Sequence, residues 1–208
     1  MSTILVIDSS VNGETSISRP LVQHAVDRLV AAHPNSRVVR RDLGADPLPH
    51  LTETNVRGVR GEPVTDGDHA TRARSDALIA ELREADVIVI GAPMYNFSVS
   101  TALRAWFDHV LRAGETFSYS EAGPKGLLPG KKAIVIEARG GLYSEGPARA
   151  IDFQEPYLRH LLGFMGITDV TFVRAEKTGF GPEARAAALR DARAVLDSVI
   201  EVPRAAAA

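Results

Sequence analysis

Residues 86–100 read Asp86-Val87-Ile88-Val89-Ile90-Gly91-Ala92-Pro93-Met94-Tyr95-Asn96-Phe97-Ser98-Val99-Ser100. The opening β-branched run, held between Asp and Gly, has no polar alternation. It reads as a strand covered on both faces, which is the habit of parallel sheets. Past the stiff Ala92-Pro93 step, Met94, Tyr95 and Phe97 stand where a chain leaving a sheet ordinarily turns polar.

Working outward, the same alternation recurs on both sides. Upstream lie a helix near Ala70–Glu84, a strand at Arg37–Asp42 and a first strand at Thr3–Ile7, stopped by Asp8-Ser9-Ser10. Between the first two strands, Leu21, Val22, Ala25, Val26, Leu29 and Val30 recur at helical spacing, with Ser18 as the expected N-cap and Pro20 in the first turn. Downstream follow a helix at Ser100–Ala113, a strand at Lys132–Glu137, a helix at Phe153–Met165, a strand at Val170–Glu176 and a helix at Pro182–Ile200.

Parallel strands need crossovers, and crossovers are right-handed almost without exception. The alternation therefore predicts a single α/β domain over 1–208: a doubly wound five-stranded parallel sheet in the order 2-1-3-4-5, with helices on both faces. Two segments break the rhythm. Residues 47–68 are either a mobile insertion or a flap near the site, and residues 116–131 suggest a hairpin-like excursion. Residues 203–208 read as a frayed tail. In such a sheet ligands sit beyond the carboxyl ends of the strands, at the switch between strands one and three. The informative loops then follow Ile7, Ile90 and Ile136.

The composition narrows the chemistry. The 208 residues carry 24 Lys+Arg against 26 Asp+Glu and no cysteine. This balance offers no basic face for nucleic acid. The absence of Cys removes disulfides, thiolate metal sites and a cysteine nucleophile, so any redox chemistry must be borrowed from a cofactor. No apolar stretch approaches the ~20 residues that span a bilayer, and Met1 leads into a strand without a basic segment or cleavage site, so no membrane is expected and a cytoplasmic location is. The six histidines are scattered without ligand spacing, and no metal is expected.

The first loop lacks both G-x-x-x-x-G-K-[ST] and G-x-G-x-x-G. Ser10, Ser16 and Ser18 surround a helix start, where free N–H groups and the positive dipole end favour a phosphate; equally, Ser16 and Ser18 could only cap the helix. In the second loop, Met94, Tyr95 and Phe97 offer surfaces to a flat conjugated ring, with Asn96 as donor and acceptor; alternatively Tyr95 and Phe97 pack on a neighbouring helix or a partner chain. The third loop, Ala138-Arg139-Gly140-Gly141, permits close backbone approach, as does any Gly-Gly turn.

The block Ala92–Ser100, together with Arg112-Ala113-Gly114-Glu115-Thr116-Phe117-Ser118-Tyr119, Gly130-Lys131-Lys132-Ala133, Ala138-Arg139-Gly140-Gly141 and Leu162–Asp169, resembles the bacterial FMN-dependent NADH-azoreductases, which are also quinone reductases. The resemblance spans nearly the whole chain. It implies a flavodoxin-like homodimer with non-covalent FMN in sites at the dimer interface. It also implies a ping-pong cycle from NADH or NADPH through FMN to a quinone or azo compound, the flavin carrying the chemistry and no side chain acting as catalyst. Carried over by position, Ser10 and Ser16-Ile17-Ser18 would hold the FMN phosphate, Met94-Tyr95-Asn96-Phe97 the ribityl chain and ring, and Ala138-Arg139-Gly140-Gly141 the ring edge. Tyr119 and Phe164 are candidates for the wall of the substrate slot, Phe164 alternatively for the core. Arg57 and Arg60 would either meet a nicotinamide's phosphates or lie in solvent. Relatives often have Ser where this chain has Ala138, and a more polar residue where it has Ile17.

Two rival readings are a phospho-accepting signalling domain and an FMN-binding electron carrier without nicotinamide turnover. The first wants clustered carboxylates at the ends of strands one and three, where only Asp8 stands. The second is usually strongly acidic, and this chain is not.

Overall fold

The computed structural model describes residues 2–121 and 123–200; the expected frayed tail at 203–208 lies outside them. Five strands, β1 (Thr3–Asp8), β2 (Arg37–Asp42), β3 (Val87–Pro93), β6 (Lys132–Ala138) and β7 (Asp169–Ala175), form one sheet in the order β2-β1-β3-β6-β7. All four pairings are parallel. Successive side chains of a strand point to opposite faces, so a run such as Ile4-Leu5-Val6-Ile7 feeds two cores at once. Leu5 and Ile7 pack with Leu78, Leu82, Trp106, Phe107 and Leu162 of α3 (Asp66–Glu84), α4 (Thr101–Val110) and α5 (Glu155–Phe164). Ile4 and Val6 pack with Leu21, Val22, Leu29 and Leu196 of α1 (Ser18–Ala32) and α6 (Pro182–Val199).

The strand numbering differs from the expected 2-1-3-4-5 because the excursion contributes two strands of its own. β4 (Phe117–Ser120) and β5 (Gly123–Gly126) pair antiparallel as a separate two-stranded sheet. That hairpin docks on the end of α5, where Leu128 N–H donates to Met165 O at 2.9 Å. Residues 47–68 hold one short helix, α2 (Arg57–Arg60), fastened to α3 by Arg72, whose guanidinium donates to Gly58 O at 2.5 Å and Gly61 O at 2.7 Å. No helix among the described residues is long and apolar enough to cross a membrane.

Helix starts also shift. α3 begins at Asp66 rather than Ala70, because Thr65 and Asp68 cap each other's backbone N–H groups in a capping box. α1 begins at Ser18 itself, so Ser18 is not the N-cap; Ser16 Oγ accepts the N–H of Arg19 at 3.2 Å instead.

Candidate active site at the carboxyl edge of the sheet

The loops after β1, β3 and β6 converge because their strands are neighbours in register, Asp8 opposite Gly91 and Pro93 opposite Ala138. Three bonds fasten them. Ser9 Oγ donates to Gly91 O at 2.7 Å, Val11 N–H donates to Tyr95 Oη at 3.2 Å, and Met94 N–H donates to Ala138 O at 2.8 Å.

In the first loop Ser10, Ser16 and Ser18 are all buried, and the Ser16 and Ser18 hydroxyls lie 3.3 Å apart. Ser10 Oγ accepts from Asn12 N–H, as Ser16 Oγ does from Arg19. As acceptors in these bonds, Ser10 and one member of the Ser16–Ser18 pair keep a hydroxyl proton for an outside anion, beside the first-turn N–H groups that no helix can satisfy internally. Ile17 separates the two serines and turns toward the core with α1. Arg19 braces the loop, donating to Ser10 O at 3.0 Å while forking onto both oxygens of Asp42 at 2.6 Å. A side chain at Gly44 would place its Cβ 2.1 Å from Ser10 O, so the loop needs glycine there. Burial pushes the Asp8 carboxyl above its ordinary pKa against the pull of Arg19.

In the second loop Tyr95 and Ser98 exchange backbone bonds of 2.9 and 3.1 Å across a two-residue turn. Both central residues lie in the left-handed region, Asn96 at φ 46° and Phe97 at φ 70°. Asn tolerates this conformation; Phe is forced into it, at a cost on the order of 1–3 kcal/mol. Surrounding bonds hold it there: Phe153 N–H donates to Phe97 O at 3.1 Å, and the Phe97 ring meets Tyr143 edge-on at 6.1 Å. The result is a projecting, 44 % exposed Phe97 above the sheet edge.

In the third loop the structure separates two expectations. Gly140 is open, and a Cβ built on it meets nothing within 4 Å, so the backbone there can lie against a ligand. Arg139 does the reverse. Its residue is fully buried, its N–H donates to Ala175 O at 2.9 Å, and its carbonyl accepts from Thr178. Its guanidinium points inward to Glu137 Oε2 (2.6 Å), Asp152 Oδ2 (3.1 Å) and Glu176 Oε1 (3.3 Å), so neither its side chain nor its backbone bonding groups remain for a ring edge.

That acidic nest is the main electrostatic feature the sequence reading missed. Burial pushes the Glu137 carboxyl up to about 8, against the attraction of Arg139 and with the repulsion of Glu155, and Glu137 Oε1 has no hydrogen-bond partner. Glu176 goes the other way: burial opposes its charge, yet the Ser144 hydroxyl, the Tyr143 N–H and Arg139 hold its carboxyl below the ordinary range. Gln154 completes the nest, accepting from Arg139 Nε at 2.9 Å and donating to Ala92 O at 2.8 Å. A carboxylate written into a strand as apolar as β6 was the available signal, since a buried charge calls for a partner.

Tyr119 and Phe164 are brought to each other through Phe117, whose ring centroid lies 5.4 Å from Tyr119 and 4.6 Å from Phe164. Tyr119 is 72 % exposed and faces a recess shared with Val59, Arg60 and Arg72, while Phe164 is half-buried at the end of α5. Arg57 spends one donor within its own segment, on Glu62 O, whereas Arg60 spends one on Leu111 O at the end of α4. A separate recess of about 570 Å³ opens at the amino ends of the strands among Leu29, His33, Asp86 and Lys132. It lies opposite the converging loops and gathers none of their residues.

The donors at the α1 start, the open backbone at Gly140 and the raised aromatic turn fit a planar ring bearing a phosphate tail. Residues 2–200 match the model of a family described as having a flavodoxin-like fold. The chain is 64% identical over 201 residues to an FMN-dependent NADH:quinone oxidoreductase of Hyphomonas neptunium, covering 97% of each chain. It is 50% identical over 200 residues to a protein of the same description from Ralstonia nicotianae, covering 95% of this chain and 96% of that one. Among solved structures, azoreductase from Bacillus anthracis superposes with a TM-score of 0.84 at 31% identity, over 95% of this chain and all of that one. This chain belongs to the flavodoxin-like family that those quinone oxidoreductases and azoreductases represent.

Proposed function

We propose that the chain is an FMN-dependent NADH:quinone oxidoreductase that also reduces azo compounds. The observation that carries this reading is the bonding of three loops into one cradle at the carboxyl edge, through Ser9–Gly91, Val11–Tyr95 and Met94–Ala138. The chain's similarity, at 64% and 50% identity over nearly full length, to FMN-dependent NADH:quinone oxidoreductases supports it.

FMN, when bound, supplies the carrier that takes a hydride from NADH and passes two electrons to the acceptor. The chain's residues bind and orient. Ser10 and one hydroxyl of the Ser16–Ser18 pair donate to the phosphate at the positive end of α1, the other hydroxyl donating to its partner, with Ile17 in backbone contact only. Met94, Tyr95, Asn96 and Phe97 cover the ribityl chain and one side of the ring. Gly140 and Gly141 approach its edge with Ala138 beneath them, and Arg139 holds that loop from behind rather than touching the ring.

Phe97, Ile151 and Phe153, exposed by 44, 41 and 59 %, form an apolar rim beside the cradle. Such a rim suits a second copy of the chain, so the working unit is a homodimer with its sites at the interface, closed over substrate by aromatic groups such as Tyr119 and Phe164. The location proposed is the cytoplasm, where NADH is available.

Titrating the purified protein with FMN, then supplying NADH and a soluble quinone, tests the reading. Bound flavin and sustained NADH consumption are expected. Protein that takes up no flavin overturns it, and flavin uptake without NADH consumption reduces it to an electron carrier.

A further inference from the structure

We infer that Gln154 is a positioning residue that locks the β3 and β6 loops into a single unit, setting the place where the flavin ring edge is received. The inference rests on the FMN reading and goes beyond it, since Gln154 itself stands behind the cradle.

The geometry is a two-ended brace. Gln154 Oε1 accepts from Arg139 Nε at 2.9 Å, and Gln154 Nε2 donates to Ala92 O at 2.8 Å. Ala92 lies on β3 one residue before its Pro93-Met94 exit, and Arg139 is the first residue past β6, one before Gly140. The brace therefore spans the two loops that would grip the ring. Gln154 is wholly buried, so water cannot replace either bond. Its own place is fixed at the head of α5, where its N–H donates to Asp152 Oδ1 at 2.9 Å.

Arg139 makes the brace rigid rather than merely present. Its guanidinium is pinned at Nη2 by Glu137 and Asp152 and at Nη1 by Glu176, which leaves it a single orientation. A shift of Gln154 would be felt first at Ala92 and Arg139, whereas the phosphate loop reaches this network only indirectly, through Ser9–Gly91 and Val11–Tyr95.

This separation supplies the test. Gln154→Met keeps the length of the side chain and removes both bonds; Gln154→Glu keeps the acceptor toward Arg139 and removes only the donor toward Ala92. Dissociation constants of FMN and of riboflavin are measured by fluorescence on the apoprotein, together with its thermal midpoint and the midpoint potential of bound FMN. Both variants should weaken FMN and riboflavin to a similar extent, roughly tenfold for the Met variant, the size expected from losing buried hydrogen bonds of ordinary strength. The flavin potential should shift as the ring edge loosens.

Wild-type affinity for both flavins in either variant overturns the inference, as does weakening of FMN alone, which would place the effect at the phosphate. A lowered thermal midpoint with unchanged affinity and potential also overturns it, leaving Gln154 a structural residue only. Wild-type protein that binds neither flavin overturns the underlying FMN reading as well, and so is distinguishable from a failure confined to Gln154.

Discussion

The phenol oxygen of Tyr95 accepts the backbone N–H of Val11 at 3.2 Å, tying the loop after β3 to the loop after β1 across the switch point of the sheet. One side chain from the ring-facing loop thus sets the rim of the phosphate-facing loop. Tyr95→Phe keeps the ring and removes the bond. FMN affinity should fall by roughly fivefold, about 1 kcal/mol for one ordinary hydrogen bond, with little change in the thermal midpoint of the apoprotein. Isothermal titration of both proteins with FMN checks it.

The buried serines separate two roles that one loop could play. Because Ser16 Oγ already accepts from Arg19 N–H, Ser16→Ala costs a cap of about 1 kcal/mol in stability whatever the loop binds. Ser16→Ala/Ser18→Ala should in addition weaken FMN by at least ~tenfold while leaving riboflavin, which has no phosphate, nearly unaffected. Equal losses for the two flavins would confine these hydroxyls to capping.

Gly140→Val should fold normally, since a Cβ at that position meets no protein atom within 4 Å and the backbone there needs no positive φ. The new side chain would instead stand in the space assigned to the ring. A thermal midpoint close to wild type with FMN affinity reduced by roughly tenfold or more is the expected pair of results. Unchanged flavin binding would move the ring away from this loop.

Glu137 gives the fold a pH dependence of definite sign. The folded chain holds this proton up to about pH 8, whereas the unfolded chain releases it near the ordinary 4.5. The stability gained from the buried neutral acid is complete below that lower value and is lost as pH rises through the upper one. Glu137→Gln retains an acceptor for Arg139 and cannot ionise. Its denaturation midpoint should exceed that of wild type above pH 8 and converge with it toward pH 5.

The parallel sheet was legible because buried strands write themselves as unbroken apolar runs. Ile4-Leu5-Val6-Ile7 and Ile88-Val89-Ile90 feed both cores, and a surface strand would have alternated. Strand ends such as those of β2, Arg37 and Asp42, were legible, whereas several helix starts were not. α3 starts at Asp66 because of polar residues alone, the mutual capping of Thr65 and Asp68, which periodicity cannot register. The candidate site was visible where its residues belong to one loop, as with Met94 to Phe97. It was hidden where partners are distant in the chain: Arg139 is joined to Gln154, 15 residues on, and Glu176, 37 residues on, and an arginine beside two glycines reads as exposed until those partners are in place.

The role proposed for this cradle is to carry electrons between two small molecules through a bound flavin. The measurement closest to it is a sequential stopped-flow experiment on the FMN-loaded protein, first mixed with NADH without oxygen and then with a quinone. Rapid loss of oxidised-flavin absorbance is expected in the first step and its full return in the second. Flavin that stays oxidised with NADH, or stays reduced with the quinone, would contradict it.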